Sequence, residues 1–292
     1  MIPMQTAVNN RLNLFTKSVF TTSFYSFLTG AILLLIANLL IDPSKFTLSF
    51  FATQSFSYVW VTGGALGVIF LTGNIILLPK IGAALTVIIT VTGQMVIGIM
   101  IDTFGWFGVE AKPLHVLHIV GVLFLISGII YMNAKKNPRV SQSSSRLWLL
   151  FGLCTGMMPP VQTAINSALR YKVDSFLYAA FISFTVGTII LLILAMIINK
   201  GIKLLFYTDN LQLKPWHFIG GLLGAIYIAT NIILMPHLGV TLTLMTAMLG
   251  QILMGLFIDH FGMMGLPKYP IDQRRVIAVI IIICGIALLK FF

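Results

Sequence analysis

Charged side chains are scarce in this sequence of 292 residues, at 9% of the chain against 58% hydrophobic residues. The mean hydropathy is +1.01. Because soluble domains carry about 25% charged residues, a water-soluble globular fold is excluded for most of the chain. Ten-residue segments of alternating polarity, typical of transmembrane β-barrels, are also missing. The composition therefore predicts an all-α polytopic membrane protein.

Cysteine and acidic residues are also scarce, and phosphate-binding motifs are absent from the sequence. The two cysteines, Cys154 and Cys284, lie in apolar segments and form no disulfide framework. His115 and His118 have no Cys or acid that would complete a metal set, and no Walker-type loop is present. We therefore expect no metal, no cofactor and no direct use of ATP. We attribute the net charge of +11 to basic loops that set the membrane topology and contact anionic lipids. It does not indicate nucleic-acid binding, since no basic stripe alternates with aromatic residues.

Apolar segments of about 20 residues, long enough to cross a bilayer, recur along the chain. The first half has four of these and a fragment at residues 1–12, whereas the second half has five. The fragment is too short to span alone, and we favour a misassigned or truncated start over a first helix that is short by nature. The predicted spans are 18–41, 58–78, 82–101, 113–132, 147–169, 175–198, 215–235, 239–258 and 274–289.

The second half repeats the first at a constant offset of 157 residues, without a gap. Among the matched positions, Pro3, Gln5 and Asn9 return as Pro160, Gln162 and Asn166. This duplication predicts a first five-helix repeat at 1–132, whose first helix is shortened, a linker at 133–146 and a second five-helix repeat at 147–292. Many secondary transporters are built from two such repeats.

Five spans per repeat is an odd number, so a tandem repeat in sequence becomes an inverted repeat in space. We expect a ten-helix (5+5) bundle with antiparallel halves. Of the 18 Lys and Arg residues, 13 fall in loops on one predicted side of the membrane and 5 on the other. The positive-inside rule then places the linker in the cytoplasm and the C-terminus outside.

Polar residues within the spans are candidates for a solute cavity. A side-chain amide in hydrocarbon is costly unless it is paired, so such residues turn inward. Hydrogen bonding between helices is the competing role, and capping a carbonyl freed by a nearby proline is a further one for the asparagines that precede prolines. The candidates form repeat-related pairs: Gln5 and Gln162, Asn9 and Asn166, Gln94 and Gln251, and Asn74 and Asn231.

Asp102 and Asp259 are the only acids that recur in both halves, and both stand at span ends before Phe-Gly. The favoured role is structural, with the carboxylate accepting backbone N–H groups of the following turn. The alternative is a proton or cation relay. Neither residue lies at mid-span, which argues against a carboxylate-driven exchange at the bilayer centre.

Several motifs together carry a family resemblance. Pro-Val-Gln-Thr-Ala-Ile-Asn at 160–166, Ser-Phe-x-x-Gly at 183–187, Gly-Gly-x-x-Gly at 220–224 and Ile-Asp-His-Phe-Gly at 258–262 resemble the YdcZ-type inner-membrane exporters of the drug/metabolite transporter superfamily. The resemblance spans nearly the whole chain, except for the missing start of helix one. It implies a bacterial plasma membrane and transport of small molecules, without naming a substrate.

Three possible functions differ in what they require of these residues. A secondary transporter, acting as an exporter of small organic solutes by alternating access, fits the duplicated polar positions best. A membrane-embedded lipid-modifying enzyme would need convergent acids, histidines or a metal set, which the sequence does not offer. A non-transporting scaffold would not require polar positions to recur in both halves. A homodimer remains open as the oligomeric state.

Overall fold

The computed structural model describes residues 1–111, 113–133, 146–208, 211–261 and 271–291. Most of the predicted linker at 133–146 lies outside these residues. The described part is almost entirely helical, and a two-stranded hairpin, β1 (Tyr207–Thr208) and β2 (Leu211–Gln212), interrupts the helices. The helices are α1 (Ile2–Thr16), α2 (Val19–Ile41), α3 (Leu48–Thr53), α4 (Val59–Phe104), α5 (Val116–Asn133), α6 (Arg146–Val173), α7 (Phe176–Ile198), α8 (Ile219–Leu238), α9 (Val240–Phe261) and α10 (Gln273–Phe291).

Each predicted span corresponds to helical backbone, although α5 begins at Val116, three residues after the predicted start at 113. Local sequence explains several of the helix ends. The Ser18 and Ser175 side chains accept the backbone N–H groups of Thr21 and Tyr178, and so cap α2 and α7 at equivalent positions of the two repeats. Within the described ranges, four segments are long and apolar enough to cross a membrane by length and composition: Val19–Ile41, Val59–Leu77, Phe176–Ile198 and Pro215–Leu238. The all-α membrane fold of two repeats is therefore confirmed.

Helix α4 differs from the sequence expectation, because it covers two predicted spans, 58–78 and 82–101, in one run of 46 residues. The sequence predicts a break between them at Pro79 and Gly82, as proline lacks the N–H of a helical hydrogen bond. The backbone nevertheless remains helical there. Proline is tolerated in membrane helices where neighbouring groups satisfy the freed carbonyl. In the second repeat the corresponding break is present, between α8 and α9.

The chain divides into two compact units, and the long helices α4 and α6 contribute to both. Unit 1 comprises Met1–Thr72 and Gln162–His237, and unit 2 comprises Gly73–Val161 and Leu238–Phe292. Each unit thus combines segments from both repeats.

Within unit 1 the two repeats run in opposite directions. At one end, Asn199 after α7 donates from Nδ2 to the Ser18 hydroxyl at the start of α2, at 2.6 Å. At the other end, Phe46 after α2 packs on Tyr178 at the start of α7, with ring centroids 5.3 Å apart. Helices α2 and α7 are therefore antiparallel, although they are repeat counterparts.

Unit 2 shows the same inversion in the last helix of each repeat. A Cβ added at Gly128 of α5 would lie 3.0 Å from the carbonyl oxygen of Ala278 of α10. A Cβ added at Gly285 of α10 would lie 2.6 Å from the carbonyl oxygen of Gly121 of α5. The later residue of one helix thus meets the earlier residue of the other, so α5 and α10 are antiparallel. Small residues at these crossings let the helix backbones approach closely.

Candidate transport site

Four side-chain amides from the two first helices lie buried in unit 1. Gln5 and Asn9 are four residues apart on α1, and hence on one helical face, while Gln162 and Asn166 occupy the corresponding places on α6. All four are buried, with relative exposures of 7%, 3%, 5% and 0% in that order. The structure therefore brings these predicted candidates into one unit.

The two asparagines are fixed by the same interaction in each repeat. Asn9 Nδ2 donates to the Ser26 hydroxyl of α2 at 3.2 Å, and Asn166 Nδ2 donates to the Ser183 hydroxyl of α7 at 3.2 Å. These bonds tie the first helix of each repeat to its second. The asparagines thus hold helices together, which was one of the two roles expected from the sequence.

The asparagine oxygens face glycines of the opposite repeat. A Cβ added at Gly220 of α8 would overlap Asn9 Oδ1, and one added at Gly63 of α4 would overlap Asn166 Oδ1. Neither oxygen accepts an N–H or O–H hydrogen bond within the described residues. A contact between a carbonyl oxygen and a glycine Cα–H is a weak hydrogen bond. Each first helix is therefore seated against the third span of the other repeat.

The glutamines one turn away differ from the asparagines, because no protein hydrogen bond to their side-chain amides is recorded in the described part of the chain. Gln5 Nε2 lies against Gly224, where an added Cβ would be 2.5 Å away. Gln162 Nε2 lies against Gly67, with a corresponding distance of 2.6 Å. These two amide groups therefore remain available to water or a solute.

Two aromatic rings occupy the crossing of α2 and α7. Phe27 and Phe184 are repeat counterparts whose ring centroids lie 5.0 Å apart. Each ring fills the space beside a glycine of the other helix, since a Cβ at Gly187 would overlap Phe27 and one at Gly30 would overlap Phe184. The rings close the crossing with apolar surface.

Gln94 and Gln251 belong to unit 2, on α4 and α9 respectively. Gln94 is buried and Gln251 is half-buried, and neither side-chain amide has a recorded hydrogen bond within the described ranges. Their neighbouring glycines differ, because a Cβ at Gly93 would overlap the Leu153 carbonyl oxygen whereas Gly250 has nothing within 4 Å. The two counterparts therefore occupy different surroundings.

Arg170 is a polar residue of unit 1 that is not among the site residues predicted from the sequence. Pro236 lies inside α8 and removes the N–H that would bond to the carbonyl of Ile232, four residues earlier. Arg170 Nη1 donates to that carbonyl at 3.1 Å. The spacing of Pro236 identifies the freed carbonyl, but only the fold identifies its donor.

The two predicted asparagines before prolines lie in different units. Asn231 in unit 1 is buried, and its Nδ2 has no partner within the described residues. The role of satisfying the carbonyl freed by Pro236 therefore belongs to Arg170 and not to Asn231. Asn74 in unit 2 is half-buried and has an interaction of its own.

Asp102 accepts backbone N–H groups, as the structural prediction proposed, but from a different segment. Its Oδ1 accepts the N–H of Val240 and its Oδ2 that of Thr241, each at 2.8 Å. The prediction of donors in the following turn is therefore wrong, because the open first turn of α9 presents unbonded N–H groups to the carboxylate. Asp259 lies on the helical backbone of α9, and its side chain falls outside the described part.

Comparison with known proteins adds a family and a fold. A family model described as "Putative inner membrane exporter, YdcZ" matches residues 1–131 and 147–288, one match for each repeat. No curated protein matches the chain. A crystal structure of another protein, 15% identical, matches with a TM-score of 0.69 over 98% of this chain and 90% of that one. At that identity the match shows the fold alone. Among the described residues, no group of three or more His, Cys, Asp or Glu could hold a metal ion.

Proposed function

The chain belongs to the YdcZ family of inner-membrane exporters, and we propose that it is a secondary transporter that exports small organic solutes across the bacterial plasma membrane. Transport would proceed by alternating access, in which two antiparallel repeats expose a shared site to each side in turn. The proposed topology places the linker in the cytoplasm and the C-terminus outside.

The observation that carries this proposal is the different hydrogen bonding of the asparagines and the glutamines on one helical face. Asn9 and Asn166 are bonded to serines, whereas the side-chain amides of Gln5 and Gln162 are mostly buried yet make no hydrogen bond to any of the residues that the structure describes. An amide offers both a donor and an acceptor, so it suits neutral, zwitterionic or weakly cationic solutes. A role in helix packing alone would favour bonded glutamines.

The antiparallel pairing within each unit also supports alternating access. Helices α2 and α7 are repeat counterparts that run in opposite directions in unit 1. The two first helices therefore present their amides from opposite directions. Such an arrangement allows the two repeats to exchange roles when the transporter turns from one side to the other.

The test compares two neighbouring amides of α6. Full-length protein in liposomes is assayed for counterflow with a panel of radiolabelled neutral, zwitterionic and weakly cationic solutes. We expect Gln162→Ala to reduce counterflow at least tenfold with unchanged thermal stability. Asn166→Ala, the matched control one turn away, is expected to lower thermal stability, because it leaves the Ser183 hydroxyl unbonded.

Two results would count against the proposal. If Gln162→Ala lowers folded yield and counterflow in equal proportion, the glutamine packs helices and does not bind solute. If the unmodified protein gives no counterflow above empty liposomes and no solute stabilises it, the transporter assignment itself fails. Gln251→Ala then tests whether unit 2 contributes, with the same expected loss of counterflow at unchanged stability.

A further inference from the structure

One sequence pattern adopts two backbone conformations in the two repeats. Gly82 follows Pro79 by three residues, as Gly239 follows Pro236. Gly239 has a left-handed φ of 79° and separates α8 from α9, whereas Gly82 lies within the continuous helix α4. Left-handed backbone is readily adopted by glycine, so the sequence permits a break at either position.

The hydrogen bonds of Asp102 depend on the break between α8 and α9. The N–H groups of Val240 and Thr241 are free for the Asp102 carboxylate because they open the first turn of α9. The negative charge is also favourable at the positive end of the α9 dipole. Asp102 therefore stabilises the break at Gly239 directly.

The repeat provides a corresponding set of residues for the opposite arrangement, in which Asp259 takes the place of Asp102 and the start of a helix after Gly82 takes the place of the start of α9. The counterparts of Val240 and Thr241 are Ala83 and Ala84. Because α4 is continuous, the backbone N–H groups of these alanines lie inside a helix, where they donate to carbonyls four residues earlier. In this conformation no open helix start exists there for Asp259 to cap.

We propose that Asp102 and Asp259 are positioning residues that cap a helix start alternately during transport. In the opposite-facing conformation α4 breaks at Gly82, Asp259 accepts the N–H groups of Ala83 and Ala84, and Asp102 gives up its partners as α8 and α9 join. One helix start is capped in each conformation, so the two conformations stay close in free energy. This inference rests on the proposed alternating access.

Hydrogen exchange of the full chain in lipid nanodiscs tests the exchange of caps. The decisive peptide is 79–86, which is remote in sequence from Asp102. Loss of a helix cap changes a population by about fivefold. We therefore expect Asp102→Ala to raise exchange in 79–86 about fivefold, and Asp259→Ala to lower it. The double variant is expected to return it to within about twofold of the unmodified protein.

Asp272→Ala is the matched control, since Asp272 Oδ1 accepts the N–H of Arg275 at 2.9 Å at the start of α10. Its repeat counterpart is His115, so Asp272 has no acidic counterpart with which it could exchange. We expect faster exchange only near residues 273–276. If Asp102→Ala folds poorly, Asp102→Asn retains one acceptor oxygen and should shift peptide 79–86 in the same direction by a smaller factor.

The outcomes separate this inference from the proposed function. Unchanged exchange of 79–86 in the Asp102 variants, together with normal solute counterflow of the unmodified protein, would overturn the alternating caps and leave transport standing. Opposite shifts from Asp102→Ala and Asp259→Ala, with neither counterflow of any solute nor stabilisation by one, would sustain the two conformations and overturn the transporter assignment. A shift of the same sign in both variants would also overturn the alternating caps.

Discussion

Replacing Gly220 with Ala tests whether the seating of α1 on α8 depends on the Asn9 amide. The added methyl group would overlap Asn9 Oδ1. Overpacking of this kind costs about 1–3 kcal/mol, while Gly→Ala inside a helix gains about 1 kcal/mol. We therefore expect Gly220→Ala alone to lower the free energy of unfolding by about 0–2 kcal/mol.

In a protein that already carries Asn9→Ala, Gly220→Ala should raise the free energy of unfolding instead of lowering it. Asn9→Ala breaks the bond to the Ser26 hydroxyl and is itself destabilising by about 1–3 kcal/mol. It also vacates the space beside Gly220, so the added methyl group no longer meets an oxygen and the helix-propensity gain of about 1 kcal/mol remains. The coupling energy between the two substitutions should therefore be about 1–3 kcal/mol in favour of the double variant.

The assay is a double-mutant cycle on the full-length protein, unfolded reversibly by sodium dodecyl sulfate in mixed micelles. Gly63→Ala with Asn166→Ala should give the same coupling, because the two pairs are related by the repeat. Mismatched pairs, such as Gly220→Ala with Asn166→Ala, should add within about 0.5 kcal/mol. Additivity of the matched Gly220 and Asn9 changes would refute the proposed contact.

Two further predictions follow from the fold. Arg170→Leu leaves the Ile232 carbonyl without a donor and should lower the free energy of unfolding by about 1–3 kcal/mol, whereas Arg170→Lys should recover part of the loss; equal stability of all three proteins would contradict the role. Topology reporters fused after Arg139 and after Phe292 should report the cytoplasm and the outside respectively, and both on one side would remove the basis for antiparallel repeats.

The helical spans were predictable because hydropathy and cap residues act locally. Helix α7 begins and ends within one residue of its prediction, since Ser175 caps its start and polar Asn199 follows its end. Continuity of α4 was not predictable, because Pro79 and Gly82 repeat the same pattern as Pro236 and Gly239 yet stay helical. The Pro-x-x-Gly pattern alone therefore does not fix the backbone, and the residues after it differ, with Ala83 and Ala84 in the first repeat against Val240 and Thr241 in the second.

The sequence predicted which residues form the candidate site, but not which groups they contact. The recurrence of the amides at a constant offset identified Asn9 and Asn166, and burial of an amide in an apolar chain demands a contact. Which contact it makes depends on how the repeats are placed, and the asparagines proved to face Gly220 and Gly63 of the opposite repeat. Similarly, the sequence indicated that Asp102 accepts backbone donors, but its donors come from a segment more than a hundred residues away.

The reciprocal seating of Asn9 on Gly220 and of Asn166 on Gly63 has an evolutionary consequence. A polypeptide containing one repeat alone would carry both halves of this contact without being able to join them, as its asparagine and its glycine each need a partner from an inverted copy. Such a chain would have to insert into the membrane in both orientations and pair with itself upside down. Fusion of two gene copies then fixes one copy in each orientation, and duplicated copies can diverge, as Arg170 and its counterpart Asn13 have done.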